Sequence, residues 1–257
     1  MVLSQRVLGI PQASPPIADR LMTALLGADP RVGRLPDGQW ILRLRPAGSP
    51  KLEEAVFAVV DVETTGAVPK DGHRITELAV VIVNGTKMEL LFDSLVNPGR
   101  PIPQAAVWNT SITDEMVRAA PIFETVAHEI EALLAGRVFV AHNVGFDWRF
   151  VSHELRRARG VGIAGPRVCT VRLARRLLPG LKYRSLDSLA TYFGIEIEQR
   201  HRAGPDALAT GRVLQRLVAL AQDAGAATVQ DLVQLMSQRK RRRHRGRRAH
   251  PETMEEL

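Results

Sequence analysis

The strongest constraint on the fold is a run of three strand patterns with little chain between them. Residues 55–62 (AVFAVVDV), 74–83 (RITELAVVIV) and 88–96 (MELLFDSLV) are rich in apolar and β-branched residues. Asn84-Gly85, between the last two, is a strong hairpin signal. Such close spacing requires antiparallel neighbours, so the chain is expected to open its main sheet with three antiparallel strands.

After Pro121 the pattern changes to alternating helices and strands. We predict strands over 137–141 and 167–171, and helices over 121–135, 146–159, 185–194, 205–224 and from Thr228 onwards. Pro121 and Pro205 suit the first turns of their helices. The sequence therefore predicts an α/β mixed sheet with helices on its faces.

The N-terminal part has a different character. Residues 17–25 place apolar side chains at a helical period (Ile17, Leu21, Ala24 and Leu25), and residues 31–46 predict a hairpin around Pro36-Asp37-Gly38. This unit is either a fragment of a winged-helix module or a packing extension of the main domain. With 45–54 as the linker, we divide the chain into an N-terminal extension (1–52), a main domain (53–224), a C-terminal helix (225–238) and a tail (239–257).

Charge is concentrated in that tail. The chain has a net charge of +8, and residues 239–248 carry eight Lys or Arg, followed by three Glu in 251–257. Residues 1–238 keep 27 basic and 24 acidic residues, so the main body is only mildly basic. The basic run predicts a disordered arm for nucleic acid, or alternatively a solubilising tail. The single cysteine, Cys169, favours the cytoplasm, and the absence of a long apolar run argues against a membrane protein.

Two carboxylates end the first of the three strands. Asp61 and Glu63, in FAVVDVETTG (57–66), are two residues apart and share one face of the strand. Two carboxylates held so close repel each other unless a cation lies between them. They are therefore either solvated residues at a strand end or ligands of a shared cation.

Two further segments place acidic residues at helix starts. In AHNVGFDWRF (141–150) a buried strand ends and Asp147 falls in the first turn of the next helix; in RHRAGPDALATG (200–211), Asp206 does the same after His201. Each aspartate alone could merely complement a helix dipole, and His201 alone could be an exposed loop histidine. Together the segments supply four carboxylates and one histidine, a set that suits two divalent cations of the Mg²⁺ type. A histidine could then accept a proton from an attacking water molecule.

The three motifs DVETTG, AHNVGFD and HRAGPDA resemble those of the DEDDh branch of the 3′–5′ exonucleases. The likeness is greatest to the epsilon proofreading subunit of bacterial DNA polymerase III and its stand-alone relatives, and it covers roughly residues 55–222. The resemblance implies a ribonuclease-H-like fold and hydrolysis of nucleic acid, DNA in the first instance, from the 3′ end to 5′-mononucleotides, in proofreading or repair.

The resemblance also implies roles for individual residues. Asp61, Glu63, Asp147 and Asp206 would hold two Mg²⁺ or Mn²⁺ ions, and His201 would be the general base. Contacts to the 3′-terminal nucleotide would come from Thr64, Thr65, His142, Asn143 and Phe146, although Phe146 is equally suited to core packing. The implied partners are nucleic acid with single-stranded 3′ ends and a DNA polymerase subunit. Binding to a membrane is not implied.

One departure from the family pattern stands before TDEMV, where Ser111 replaces a glycine that is common in the family. Two other functions stay open at this stage. One is processing of RNA 3′ ends, because the chemistry acts on a phosphodiester common to DNA and RNA. The other is a non-catalytic nucleic-acid-binding adaptor on the same scaffold, although every expected ligand is present.

Overall fold

The structure is a computed structural model that describes residues 14–26, 32–34, 40–42, 49–160 and 162–237. Within this part, three N-terminal elements come first: helix α1 (Pro15–Leu26) and the short antiparallel strands β1 (Val32–Arg34) and β2 (Trp40–Leu42). The predicted hairpin therefore forms. Its turn at residues 36–38, the start of the linker and the basic tail lie outside the described residues.

A five-stranded sheet organises the rest of the chain. Its strands are β3 (Val56–Thr64), β4 (Ile75–Asn84), β5 (Lys87–Leu95), β6 (Val138–Ala141) and β7 (Arg167–Cys169), in the spatial order β5-β4-β3-β6-β7. The first three pair antiparallel, and β6 pairs parallel with both β3 and β7. Gly85, in the turn between β4 and β5, has a positive φ of 58° that suits glycine. The predicted mixed sheet is confirmed.

Eight helices beyond the hairpin are described, from α2 to α9. They are α2 (Gln104–Thr110), α3 (Asp114–Val117), α4 (Phe123–Leu134), α5 (Val144–Arg159), α6 (Thr170–Leu177), α7 (Leu186–Phe193), α8 (Ala203–Asp223) and α9 (Val229–Ser237). A single 3₁₀ turn, Pro69–Asp71, lies between β3 and β4.

Several predicted boundaries were wrong. Pro121 lies outside α4, and its carbonyl instead accepts a hydrogen bond from the amide of Asn97 at 2.9 Å. Helix α8 starts at Ala203, two residues before Pro205, because Glu77 accepts a hydrogen bond from the Ala203 amide. Strand β7 ends at Cys169 rather than at 171, because Thr170 already begins α6.

The two faces of the sheet have separate cores. Along β3, Phe57 and Val59 pack on the face covered by α8, where Leu214 and Leu217 are fully buried. The alternate residues Ala58, Val60 and Val62 pack on the other face, against side chains of α4 and α5 that include Phe123, Ile130 and Phe150. Since side chains alternate along a strand, Asp61 and Glu63 continue the α8 face. The main sheet is thus covered on both sides, as predicted.

The helix predicted over residues 17–25 forms as α1. Its buried residues are Ala18 and Met22, whereas Ile17 and Leu25 are more than half exposed. Ala18 with Met22, and Ile17 with Leu25, each follow a helical period, so α1 has two adjacent apolar stripes. The sequence pattern alone did not show which stripe is buried.

The segment that leads into β3 is bound to the C-terminal helix region. The Leu52 amide donates to the Ala227 carbonyl at 2.9 Å, and the Val229 amide donates to the Pro50 carbonyl at 3.1 Å. Leu52 is also buried in the α8-side core. Residues 49–54, predicted as part of a linker, are thus packed against the body, because the apolar side chain of Leu52 is buried there. The division at residue 52 stays a prediction.

Among the described residues, no helix is both long and apolar enough to span a bilayer.

Candidate active site

The end of β3 places two acidic side chains on the face covered by α8. Asp61 pairs with Ala79 and Glu63 with Glu77 in the β3–β4 ladder, and the register shifts immediately afterwards, between Glu63 and Thr64. This shift in register ends the regular β3–β4 pairing directly after the two carboxylates, at the end of the buried part of β3.

The loop after β3 is held rigidly. The Thr64 hydroxyl donates to the Gly66 carbonyl at 2.7 Å, and the Thr65 hydroxyl accepts a hydrogen bond from the Arg74 amide at 3.0 Å. Thr65 also contacts Nδ1 of His73 at 3.2 Å. A Cβ atom at Gly66 would lie 2.3 Å from the His73 ring, so any other residue here would have to displace that ring. Both threonine side chains are buried. Their hydroxyls shape the loop, and their predicted contact with substrate stays a prediction.

The start of α8 brings the third motif to the same place. Ligand atoms of Glu63, His201 and Asp206 all lie within 4.8 Å of one another. The His201 amide donates to Oδ2 of Asp206 at 3.1 Å, and His201 itself has a left-handed backbone, with φ of 60°. The histidine side chain is exposed, whereas Asp206 is only 5% exposed.

An ion pair between the buried Glu77 and the partly exposed Arg202 fixes the start of that helix. Glu77, which is 2% exposed, accepts hydrogen bonds from Arg202 Nε at 2.8 and 3.1 Å and from the Ala203 amide at 2.9 Å. Sequence reasoning missed this pair. The available signal was a single acid, Glu77, in the middle of the otherwise apolar strand RITELAVVIV.

Asp147 completes the carboxylate set from the other side of β3. It lies in the first turn of α5 and is 5% exposed. Burial raises the pKa of Asp147 to about 7, while hydrogen bonds from its own backbone and from that of Val62 act in the opposite direction. The contact with Val62 places Asp147 beside the strand position between Asp61 and Glu63.

The four carboxylates are electrostatically coupled. Burial, followed by the charges of Asp147, Glu63 and Asp206, raises the pKa of Asp61 well above its ordinary value. Burial, followed by the charges of Asp206, Glu77 and Asp147, raises the pKa of Glu63 to about 8. Carboxylates in this environment gain stability from a neighbouring positive charge.

Arg200 supplies one such charge. Its guanidinium forms ion pairs with Asp206 and, at 2.5 Å, with Asp187, and its charge lowers the pKa values of Asp61 and Glu63. One oxygen of Asp206, Oδ1, is nevertheless buried without a hydrogen-bond partner. A buried, unpartnered carboxylate oxygen among three other carboxylates fits the oxygen-ligand preference of hard divalent cations. The residues present therefore fit the predicted metal site.

The remaining predicted residues lie at the end of β6. Burial lowers the pKa of His142 to about 4, and its Nδ1 lies 2.9 Å from the Thr170 hydroxyl. Asn143 is exposed at the N-cap of α5. Phe146 packs on Phe150, with 4.9 Å between ring centroids, and belongs to the α5-side core, which supports the packing alternative for Phe146. The contacts of His142, Asn143 and Phe146 with substrate stay predictions.

Ser111, which replaces the family's glycine, ends α2 in the left-handed conformation, with φ of 58°. The serine thus keeps the backbone conformation that glycine adopts most readily.

Comparison with known proteins agrees with this geometry. The RNase T exonuclease family model matches residues 58–214. The 3′–5′ exonuclease DinG of Bacillus subtilis is 37% identical over 163 residues, 63% of this chain and 17% of that protein. The DNA polymerase III epsilon subunit of Aquifex aeolicus is 34% identical over 167 residues, 65% of this chain and 82% of that protein.

Among solved structures, Exonuclease X in complex with 5′ overhanging duplex DNA matches with 28% identity and a TM-score of 0.56, over 70% of this chain and 99% of that one. The chain spans less than a fifth of the length of several curated relatives, including DinG and the PolC-type polymerases. The family-model match includes all three motif segments. The chain therefore belongs to the RNase T exonuclease family and carries a 3′–5′ exonuclease domain, as its resemblance to the DEDDh enzymes predicts.

Proposed function

We propose that this chain removes nucleotides one at a time from the 3′ ends of DNA and releases 5′-mononucleotides. The observation that carries the proposal is the convergence of Asp61, Glu63, Asp147, Asp206 and His201 at one edge of the sheet. Two of these acids come from β3, one from α5 and one from α8. DNA is favoured over RNA because Exonuclease X, the solved structure with 28% identity, is a DNA complex.

The carboxylates would hold two Mg²⁺ or Mn²⁺ ions. Ligand atoms of Glu63 and Asp206 lie within 4.8 Å of each other, and the charges of Asp61 and Asp147 act on the same cluster. When bound, divalent ions of this kind stabilise the negative charge that develops on the phosphoryl oxygens. The orphan oxygen Oδ1 of Asp206 is the ligand atom that most needs such a partner.

His201 would accept the proton of the attacking water at an imidazole nitrogen. Its side chain is exposed, so water reaches it, while its amide is fixed to Asp206 at 3.1 Å. The backbone bond sets the distance between the base and the carboxylate cluster. The Glu77–Arg202 pair supports this arrangement because it holds the next two residues of the chain, Arg202 and Ala203.

The cellular role proposed here is proofreading or repair in the cytoplasm. It rests on the similarity to epsilon subunits and includes a DNA polymerase subunit as partner. Size-exclusion chromatography of the full chain with a purified polymerase catalytic subunit tests the partnership. A complex that elutes earlier than either protein supports it, and separate elution at micromolar concentrations contradicts it.

The enzymatic proposal is tested with a labelled single strand and its RNA counterpart, incubated with Mg²⁺ or with chelator. We expect mononucleotide release from DNA with Mg²⁺ only. Asp206→Asn should abolish release, since an amide is a poor ligand for a hard cation. Asp223→Asn, an exposed substitution at the far end of the same helix, is the matched control and should retain full activity. Faster release from RNA would reassign the substrate, and undiminished turnover by Asp206→Asn would refute the site.

A further inference from the structure

A second surface feature contains none of the five residues of the proposed catalytic site. It is a groove of about 1060 Å³ between β7, α6 and α9. Arg167, Arg172 and Arg175 line it together with apolar side chains of α9 that include Val233 and Met236. We call it the arginine groove.

The charge of the arginine groove is uncompensated. Among the described residues that line it there is no aspartate or glutamate. Within the described part of the chain, none of its three arginines forms an ion pair, whereas Arg74, Arg200 and Arg202 each pair with a carboxylate. Arg167 lies over the Trp148 ring, 4.6 Å from its centroid, and Arg172 donates to the Met236 carbonyl at 3.1 Å. All three side chains are exposed. Three exposed, unpaired guanidinium groups in one concavity indicate an anionic ligand.

The groove extends to the start of α5. Asn143 and Gly145 line it, and they begin the same helix turn that carries Asp147. Helix α6, which carries Arg172 and Arg175, is fixed to this end of β6, because the Val171 amide donates to the His142 carbonyl at 3.3 Å and Thr170 contacts the His142 ring at 2.9 Å. The arginines therefore keep a set position relative to the carboxylate cluster.

The last turn of α9 contacts this same part of the groove, because the Cys169 amide donates to the sulfur of Met236 at 3.1 Å. Ser237, the last residue of α9, lines the groove, and the eight Lys or Arg of residues 239–248 follow directly in the chain. Arg172 thus lies close to both the His142 end of β6 and the last turn of α9. The polyanion that the proposed exonuclease function brings to this place is a nucleic-acid strand.

We propose that the arginine groove binds the phosphate backbone of the substrate strand, several nucleotides away from the 3′ end that is cleaved. The inference rests on the proposed exonuclease function and deepens it by assigning a backbone-binding surface. Arginine suits this role, because its planar guanidinium binds phosphate through two parallel hydrogen bonds. Phosphate contacts hold a strand without reading its sequence, which is what an enzyme that degrades any 3′ end requires.

The test compares two double variants of the full chain. Arg172→Ala/Arg175→Ala removes two groove cations, while Arg212→Ala/Arg216→Ala removes two exposed arginines of α8 that line a cavity sharing no residue with the groove. Binding is measured by fluorescence anisotropy in chelator, across a salt series, for single strands of about 20 nucleotides and of three. No cleavage is needed, so this test does not depend on the outcome of the activity assay.

For the long strand, the groove variant should lose about five- to twentyfold in affinity near 0.1 M salt, and its log–log salt slope should fall by about 1.4, or 0.7 for each lost contact. The trinucleotide, too short to reach the groove, should bind all proteins alike. Arg175→Ala alone, whose guanidinium makes no hydrogen bond in the described structure, should show about half of the slope change and guards against a folding defect.

Equal affinities and salt slopes for the two double variants would overturn the proposal and point to an acidic protein segment as the ligand. A loss that is equally large for the trinucleotide would also overturn it, because it would place the arginines in the cleft itself.

Discussion

Glu77 lies directly opposite Glu63 in the β3–β4 ladder, yet the two glutamates are held in different ways. Glu63 belongs to the carboxylate cluster, whereas Glu77 is neutralised by Arg202, which donates to both of its oxygens. One cross-strand pair of acids thus provides a member of the carboxylate cluster and an anchor for the helix that brings Asp206 to that cluster.

Glu77→Gln should destabilise the protein by about 1–3 kcal/mol, because it removes the buried charge that pairs with Arg202, whose side chain is 28% exposed. Urea unfolding measures the change. Glu115→Gln is the matched control, since Glu115 pairs with Arg118 on the surface, where both side chains are more than 70% exposed. That substitution should cost less than about 0.5 kcal/mol. Equal costs for the two variants would show that the Glu77–Arg202 pair does not anchor α8.

His201→Asn should lower the turnover number by about 10²–10⁴ and leave the affinity for a single strand unchanged, because a general base is lost while the carboxylates remain. Asparagine is chosen because His201 has a φ of 60°, a conformation that asparagine tolerates better than most residues. Single-turnover kinetics with saturating enzyme measure the chemical step. Turnover within a factor of two of the parent would exclude His201 as the base.

The stability of the metal-free protein should fall as the pH rises from 5 to 8. Burial and neighbouring charges raise the pKa of Glu63 from 4.5 to about 8 in the folded protein. Between those values the unfolded chain binds fewer protons than the folded one, so each rise in pH favours unfolding. Glu63→Gln should therefore raise the Tm at pH 8 in chelator by roughly 2–4 °C or more, equivalent to at least about 1 kcal/mol, and the gain should shrink at pH 5.

The control for this measurement is Asp223→Asn, whose Tm should follow that of the parent at both pH values. Saturating Mg²⁺ should reverse the order, because only the parent keeps the full set of ligands and gains their binding energy. A parent protein that is more stable than Glu63→Gln at pH 8 in chelator would contradict the prediction.

Ser111→Gly should stabilise the fold by about 0.5–1 kcal/mol. Ser111 has a left-handed backbone, which costs an L-residue energy that glycine does not pay. Thr110→Gly, at the preceding helical position, is the contrasting substitution and should destabilise the protein, because it removes a buried side chain from α2. Thermal unfolding distinguishes the two, and a destabilised Ser111→Gly variant would mean that the serine side chain holds the loop.

Local patterns in the sequence were sufficient for the sheet and the acidic cluster. Alternation, the Asn84-Gly85 turn and the ordered motifs predicted every strand of the main sheet and brought Asp61, Glu63, Asp147, Asp206 and His201 to one edge. What the sequence did not show depends on long-range contacts. The partners Glu77 and Arg202 are 125 residues apart, so no local pattern connects them.

Short helices were missed for a related reason. Residues 170–177 open with Thr170-Val171, which favours a strand, yet they form α6, because Leu173 and Ala174 are buried in the core shared with α8. Helix α2, only seven residues long, had too few turns to show a period.

The position of α8 in the chain has a consequence for biosynthesis. Three of the four acids, Asp61, Glu63 and Asp147, lie before residue 150, but Asp206 and His201 reach the cluster only with α8, which also covers one face of the sheet with Leu214 and Leu217. A chain emerging from the ribosome cannot complete that core, or its centre, until this helix has been synthesised. The order of the elements thus delays assembly of the carboxylate cluster until about four fifths of the chain has been synthesised.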